Sequence, residues 1–303
     1  MVNTPVLFIT FARPEYASQS FAAIKKAQPR KLYFYSNKAR KEKPDEVKRN
    51  EEVRSYIKQI DWDCEVVTWF RDEYVDVFTS LWGAIDWVFD NEDEAIVLEE
   101  DCVASLAFFD FCEKLLPKYK DEPRVRLISG DNFTPEYNPT GYDYFFTRLP
   151  DIYGWASWRK KWQNLDREMN DWPSIRKRMK RFFPHFLERL YHRIIMDKIL
   201  SDKYPSKPWD FTTCYNMLKN DEVSITPMYN LVEDIGVSGA NHAVNIKKMG
   251  GLPKYEGNVY PTERCPEITE AFDSYDYPHF KKYIFWRFVF YELKKYRKKL
   301  LKF

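Results

Sequence analysis

Three consecutive acids, Glu99-Glu100-Asp101, follow directly on the apolar run Ala95-Ile96-Val97-Leu98. Adjacent carboxylates repel one another. Such a cluster is tolerable where water solvates it or where a divalent cation offsets the charge, and Mg²⁺ and Mn²⁺ take hard oxygen ligands that they share with substrate phosphates. The triplet therefore fits a solvated strand-end turn or a cation site. Two further acids suit proton transfer. Asp210 lies between aromatics in Pro208-Trp209-Asp210-Phe211, where partial desolvation raises a carboxyl pKa and makes it a better base; it equally fits a helix N-cap. Asp131, in Ser129-Gly130-Asp131-Asn132, competes with it, and sequence alone does not separate a base from a residue that holds a ligand.

These acids need a scaffold. Val6-Leu7-Phe8-Ile9-Thr10 is a continuous apolar run, as in a strand buried on both faces of a parallel sheet. Pro14 opens a helix that ends before Pro29, with Phe21, Ala22 and Ile24 turned inward. Lys31 to Ser36 and Cys64 to Trp69 read as further strands, separated by a charged loop and helix from Lys38 to Arg54. A helix over Phe78 to Phe89 leads into the strand that ends at the acidic triplet, and Phe108 to Cys112 begins another helix. Strands alternating with helices predict an α/β fold with a mainly parallel sheet. Ligands bind such sheets beyond the strand carboxyl ends, where strand order reverses. Beyond Asp151 the chain becomes rich in Trp, Lys and Arg, with a long helix expected around Met179 to Leu200 and fewer strand signals than before it.

Composition narrows the function classes. The 303 residues, 44% hydrophobic and 31% charged, are those of a folded globular chain that can form one large α/β unit. Nine glycines with no G-x-G pair exclude the dinucleotide fingerprint and the P-loop. Five cysteines without a C-x-x-C pair point to a reducing compartment. Met1-Val2-Asn3-Thr4-Pro5 lacks a basic stretch followed by an apolar one, and no window is apolar enough for a membrane span, so a chain neither secreted nor transmembrane is expected. The net charge of +2 gives no general bias toward polyanions, and no nucleic-acid partner is expected. Residues 279–303, however, hold nine Lys and Arg against one acid, Glu292. On a helical wheel Trp286, Val289, Phe290, Leu293, Tyr296, Leu300 and Phe303 fall on one side, opposite Arg287, Lys294, Lys295, Lys298, Lys299 and Lys302. That pattern fits an amphipathic helix on an anionic bilayer, or one docked on the body with its lysines solvated.

The run Ile96 to Asp101 followed by Phe108-Phe109 resembles the D-x-D-type segment of GT-A glycosyltransferases, most closely the E-D-D form of the N-acetylglucosaminyltransferase I-like branch and its bacterial relatives. Other landmarks follow in the family's order: Pro5 to Arg13, Trp82-Gly83-Ala84, Leu127 to Phe133, Tyr153 to Trp158, Trp209-Asp210, and Gly236-Val237-Ser238-Gly239. The likeness spans roughly residues 4 to 245. It implies a metal-dependent inverting transferase in which Asp101 ligates Mn²⁺ or Mg²⁺, while Glu99 and Glu100 reach the ribose and donor sugar. This chain departs from the family in having Glu at the middle acid. By the same resemblance Arg13 contacts the nucleotide diphosphate, Ser36 or Asn37 meets the uracil edge, and Asp210 is the general base. His242, after the Gly236–Gly239 segment, is a metal ligand or an ordinary structural histidine. Trp155, beside Gly154, suits a sugar platform, since an aromatic face packs on the C–H face of a pyranose; core packing is its alternative.

The expected organisation is a GT-A catalytic domain over 1–245, with a nucleotide-sugar half to 135 and an acceptor half beyond it, then an extension over 246–278 and the basic helix over 279–303. The expected activity moves a sugar from a nucleotide-diphosphate sugar, a UDP-sugar foremost, to a lipid-linked glycan in bacterial surface polysaccharide or lipopolysaccharide synthesis. The protein would then be cytoplasmic and peripheral on the inner face of the plasma membrane. Two other classes fit the same residues: a catalytically silent sugar-binding scaffold, and a membrane adaptor whose tail is its function.

Overall fold

A computed structural model describes residues 1–134, 141–201, 207–236, 255, 257–268 and 273–285. The first half alternates as expected: β1 (Val6–Thr10), α1 (Pro14–Ala27), β2 (Lys31–Ser36), α2 (Pro44–Arg54), β3 (Glu65–Phe70), α3 (Val77–Asn91) and β4 (Glu94–Glu99). After it come β5 (Cys102–Ala104), α4 (Leu106–Tyr119), β6 (Val125–Ser129), β7 (Tyr144–Thr147), β8 (Trp155–Trp158), α5 (Arg159–Gln163), α6 (Trp172–Phe182), α7 (Phe186–Ser201), α8 (Trp209–Asn220), β9 (Val223–Pro227), β10 (Val232–Asp234) and α9 (Asp273–His279).

Eight strands form one sheet in the order β3-β2-β1-β4-β8-β6-β9-β7, and β10 pairs with β5 in a small second sheet. The β3-β2-β1-β4 block is parallel, β8 runs antiparallel between β4 and β6, β9 is parallel to β6, and β7 is an antiparallel edge. This is the expected α/β architecture, with a mainly parallel central sheet flanked by helices. Every residue of β1 is buried, and its side chains alternate between two cores. Val6 and Phe8 join Phe21, Phe34, Phe108 and Phe111 on one face, while Leu7 and Ile9 join Tyr35, Ile85, Phe89 and Trp155 on the other. A third cluster packs α6, α7 and α8 together through Ile175, Met179, Phe183, Met196 and Tyr215.

One sequence expectation changes. The helix expected around Met179 to Leu200 is two helices, because Pro184 interrupts it. Proline lacks the N–H for an i→i−4 bond and drives the preceding residue out of the α region; Phe183 sits at φ −125°, ψ 89°. Beyond Asp151 three strands, β8, β9 and β10, follow the seven before it, fewer as expected. Part of the extension over 246–278 is described, and within it Tyr260 lies in the core, its hydroxyl donating to the Asp143 carbonyl at 3.0 Å. Of the basic tail, residues 286–303 lie outside the described residues, as does His242.

Candidate functional site

From β1 the chain moves outward to β2 and β3, then returns to set β4 on the other side of β1, with Ile9 opposite Glu99. The strand order therefore reverses between β1 and β4, and the crevice beyond their carboxyl ends is where an open α/β sheet receives ligands. The loop after β1 supplies Arg13, and the turn after β4 supplies the acidic triplet.

The triplet's carboxylates divide. Glu100 points inward and is 3% exposed. Its Oε2 accepts the Phe11 N–H at 2.8 Å, its Oε1 accepts Arg13 Nε at 2.6 Å, and its carbonyl accepts Ser20 Oγ at 2.9 Å. Burial raises the Glu100 pKa, while Arg13 and the Phe11 amide oppose the rise. Both Glu100 carboxylate oxygens thus brace the β1 loop. Arg13 also lies 3.0 Å from Asp101 Oδ2 through Nη1. Burial works against the Arg13 charge, but Glu100, Asp101 and Glu99 outweigh it and its pKa is raised.

Glu99, half-buried at the end of β4, has its pKa pushed up to about 8, first by burial and then by the charge of Asp101; Arg13 opposes this, and Asp234 and Asp210 add to it. Carboxylates from three other segments, the turn after β4, β10 and the first turn of α8, thus act on Glu99 through their charge. Asp234 carries no motif of its own. It arrives through the pairing of β10 with β5, which sets Asp234 opposite Cys102, and the sequence signal was only its position just before Gly236. Gly236 closes over the site so tightly that a Cβ there would stand 2.1 Å from Asp101 Oδ2.

Asp210 is in the first turn of α8, which is capped by Pro208, so the N-cap alternative does not hold. Burial raises its pKa to about 6, while its own and the Phe211 amides pull the other way. Asp131 differs. It is 1% exposed, and neither carboxylate oxygen has a hydrogen-bond partner among the described residues. Burial, and then Asp151, push its pKa well above the carboxylate range. Asp151 is itself pushed up to about 8 by burial, although Tyr275 donates to its Oδ2 at 2.7 Å. Asp151 and Tyr275 were not singled out in the sequence, since only the packing of α9 against the sheet brings them together.

Two other candidates are occupied by the protein. Ser36 Oγ receives Asn50 Nδ2 at 3.2 Å and Arg54 Nε at 3.1 Å. Asn37 donates to the Val75 carbonyl at 2.8 Å and accepts the Lys38 amide at 2.9 Å. Both lie at the carboxyl end of β2, where their polar groups tie α2 and the β3–α3 loop to the strand end. Trp155 is 2% exposed and stacks on Trp209 at 5.0 Å and on Trp162 at 5.9 Å. Protein rings already cover it, so it belongs to the core and offers no sugar platform. Beside Arg13, a cleft of about 510 Å³ lined also by Phe11, Lys43, Asp45 and Arg49 opens toward the start of α2, a size suited to a small ligand.

Among the described residues no three His, Cys, Asp or Glu side chains form a group arranged to hold a metal ion. The donor chemistry nevertheless fits a hard divalent cation. Glu99, Asp101 and Asp234 are hard oxygen donors of the kind such an ion takes; burial and then the charges of Asp101 and Asp234 raise the Glu99 pKa, and Arg13 opposes the rise.

No family model matches the chain, and no curated protein matches it. Solved structures similar to it include the glycosyltransferase GlyE of Streptococcus pneumoniae, at 11% identity over 74% of this chain and 45% of that one, with a TM-score of 0.35. The mannosyltransferase PcManGT of Pyrobaculum calidifontis, in complex with GDP-Man and Mn²⁺, matches at 12% identity over 71% of this chain and 68% of that one, with a TM-score of 0.37. Mouse xyloside xylosyltransferase 1 matches at 11% identity over 74% of this chain and 84% of that one, with a TM-score of 0.36. The chain spans less than half the length of GlyE.

Proposed function

We propose that this protein is an inverting glycosyltransferase that moves a sugar from a nucleotide-diphosphate sugar, a UDP-sugar foremost, to a glycan hydroxyl. The observation that carries the reading is the gathering of Glu99, Asp101, Asp210 and Asp234 at the strand-order reversal beside Arg13. Arg13 suits a diphosphate entering from the adjoining cleft. Glu99 and Asp101 would hold Mn²⁺ or Mg²⁺, which when bound supplies positive charge to a departing diphosphate.

Burial raises the pKa of both Asp210 and Asp131, and the charge of Asp151 adds to the rise only at Asp131, which supports giving the two acids different roles. With a pKa of about 6, Asp210 is largely ionised at neutral pH and can accept a proton. Asp131, whose pKa burial and then Asp151 raise, is assigned the ligand-holding role. In the proposed step the acceptor oxygen forms a bond to the anomeric carbon as the bond to the diphosphate oxygen breaks. The hydroxyl proton passes to the Asp210 carboxylate, and the nucleoside diphosphate leaves with the bonding electrons. The surface-glycan pathway and lipid-linked acceptor belong to this reading through the family resemblance and the basic tail, as does a peripheral place at the membrane; among the described residues no helix is long and apolar enough to cross a membrane.

A silent sugar-binding scaffold is the second reading, favoured by the Arg13–Asp101 pair, which occupies an oxygen the transferase reading gives to a metal. Calorimetric titration of UDP, GDP and CMP with Mn²⁺ and then with chelator tests both. Mn²⁺-dependent binding of UDP alone supports the donor site, and binding of no nucleotide overturns the transferase reading.

A further inference from the structure

Helix α7 is built against the usual pattern of a surface helix. It buries Glu188, His192, Met196 and Ile199 toward the body. At about 100° per residue the opposite face carries Phe186, Leu187, Leu190 and Ile194. These are 65%, 45%, 37% and 36% exposed, so the outward face is apolar as far as Ile194, where water should select polar residues, and Asp197 and Ser201 follow on it.

Cations border that stripe on both sides. On one flank Arg193 Nη2 donates to the Arg176 carbonyl at 3.0 Å, which joins α7 to α6 and its exposed Lys177, Arg178 and Lys180. Among the described residues those three make no ion pair, whereas Arg176 pairs with Asp197 and Arg181 with Asp221. On the other flank Tyr191 packs against Phe280 at 5.6 Å, and exposed Lys281 and Lys282 follow. Residues 172–201 hold eight Lys and Arg against two acids, Glu188 and Asp197, of which Glu188 is buried.

We infer that the α6–α7 hairpin is a bilayer-contact surface, its apolar stripe entering the headgroup region and its lysines and arginines meeting anionic lipid. Charge decides the occupant. A second copy would set like charges face to face, and a polyanion such as nucleic acid leaves the stripe without use. An anionic bilayer satisfies both features, since interfacial binding combines buried apolar area with attraction to acidic headgroups. The hairpin packs on α8, the helix that begins at Trp209-Asp210, so contact through it brings the proposed acceptor side to the lipid. The stripe and the α6 cations are distinct from the transfer chemistry, while Lys281 and Lys282 on the second flank belong to the start of the basic segment 279–303. Nucleotide titration in solution tests the transferase reading, and vesicle binding tests this one.

The experiment is co-sedimentation of the full chain with vesicles of phosphatidylcholine alone and of an equal mixture with phosphatidylglycerol. Every variant keeps the tail, so the quantity read is the change between variants. Leu190→Glu with Ile194→Glu should weaken binding to the mixed vesicles by about tenfold or more. Lys177→Glu with Lys180→Glu should weaken it about tenfold, with the difference shrinking as salt rises. All four side chains are exposed, and the lysine pair decides the matter if the apolar pair does not fold. Unchanged binding by the lysine pair, or equal binding to phosphatidylcholine alone, overturns the inference. So does a concentration-dependent dimer, abolished by the Leu190 and Ile194 changes, in a protein that ignores vesicles.

Discussion

Arg13 Nε donates to Glu100 Oε1 at 2.6 Å, tying the loop after β1 to the turn after β4 across the strand-order reversal. The middle acid of the triplet is thus a brace, and Arg13 also pairs with the third acid, Asp101, through Nη1 at 3.0 Å.

Arg13→Ala removes that tie and leaves Glu100 buried without its cation. Breaking a buried pair is costly, but Arg13 is one-third exposed and water screens part of the loss. Thermal unfolding should report a loss of about 2 kcal/mol, and nucleotide binding should weaken with it. Glu100→Gln, which retains an acceptor for the Phe11 amide, should cost less.

Asp210→Asn separates binding from chemistry. Nucleotide affinity should stay within error of the parent, while turnover falls by about 10²- to 10⁴-fold. With a pKa of about 6, the parent's kcat/KM should rise as pH increases through that value and then level off. The variant should lack that limb. Normal turnover by the variant would remove Asp210 from the proton-transfer role.

Gly130 stands where the backbone is closely approached. Its N–H donates to the Gly154 carbonyl at 2.8 Å, and its carbonyl accepts the amides of Leu231 and Val232. A Cβ there would lie 2.4 Å from Val232 and 2.9 Å from the Gly154 oxygen. Gly130→Ala should therefore destabilise by about 1–3 kcal/mol through overpacking, read by urea unfolding.

Stability should also depend on pH in a definite direction. Asp151 has a folded pKa of about 8 against roughly 3.9 unfolded. Between these values the folded state binds more protons, so stability declines as pH rises through the window. Buried His192 and His279 are lowered to about 3 by desolvation, with His279 adding to the effect at His192. Their unfolded pKa is about 6.5, so from pH 3 to 6.5 they act in the opposite sense, adding stability as pH rises. Above roughly pH 6.5 only the carboxyl effect remains, and Tm should fall toward pH 8. Asp151→Asn, which keeps an acceptor for Tyr275, should lessen that fall.

Local signals were legible where chemistry and position coincide. The apolar runs of β1 and β2 fix their own limits, and the triplet's place at the end of β4 follows from the residues before it. The roles inside the triplet were not legible, because whether a glutamate turns inward depends on Arg13, 87 residues away in sequence. Asp234 and Asp151 escaped for the same reason, each being delivered by a distant pairing, β10 on β5 and α9 on the sheet. Trp155-Ala156-Ser157-Trp158 looks like a ligand-facing motif, but it is a four-residue strand buried on both faces. Around Pro184 apolar residues continue on both sides, which suggests one helix although the proline ends it.

The antiparallel β8 has a consequence for biogenesis. When Glu99 has been synthesised, β4 is joined to β1 on one side, and its other edge, Ala95-Ile96-Val97, waits for residues 155–158. An apolar strand edge left open in this way is a template for pairing with other chains. A ribosome adding about 5–20 residues per second holds that edge open for several seconds, so truncated chains ending between β4 and β8 should be prone to aggregation in a way the complete sheet is not.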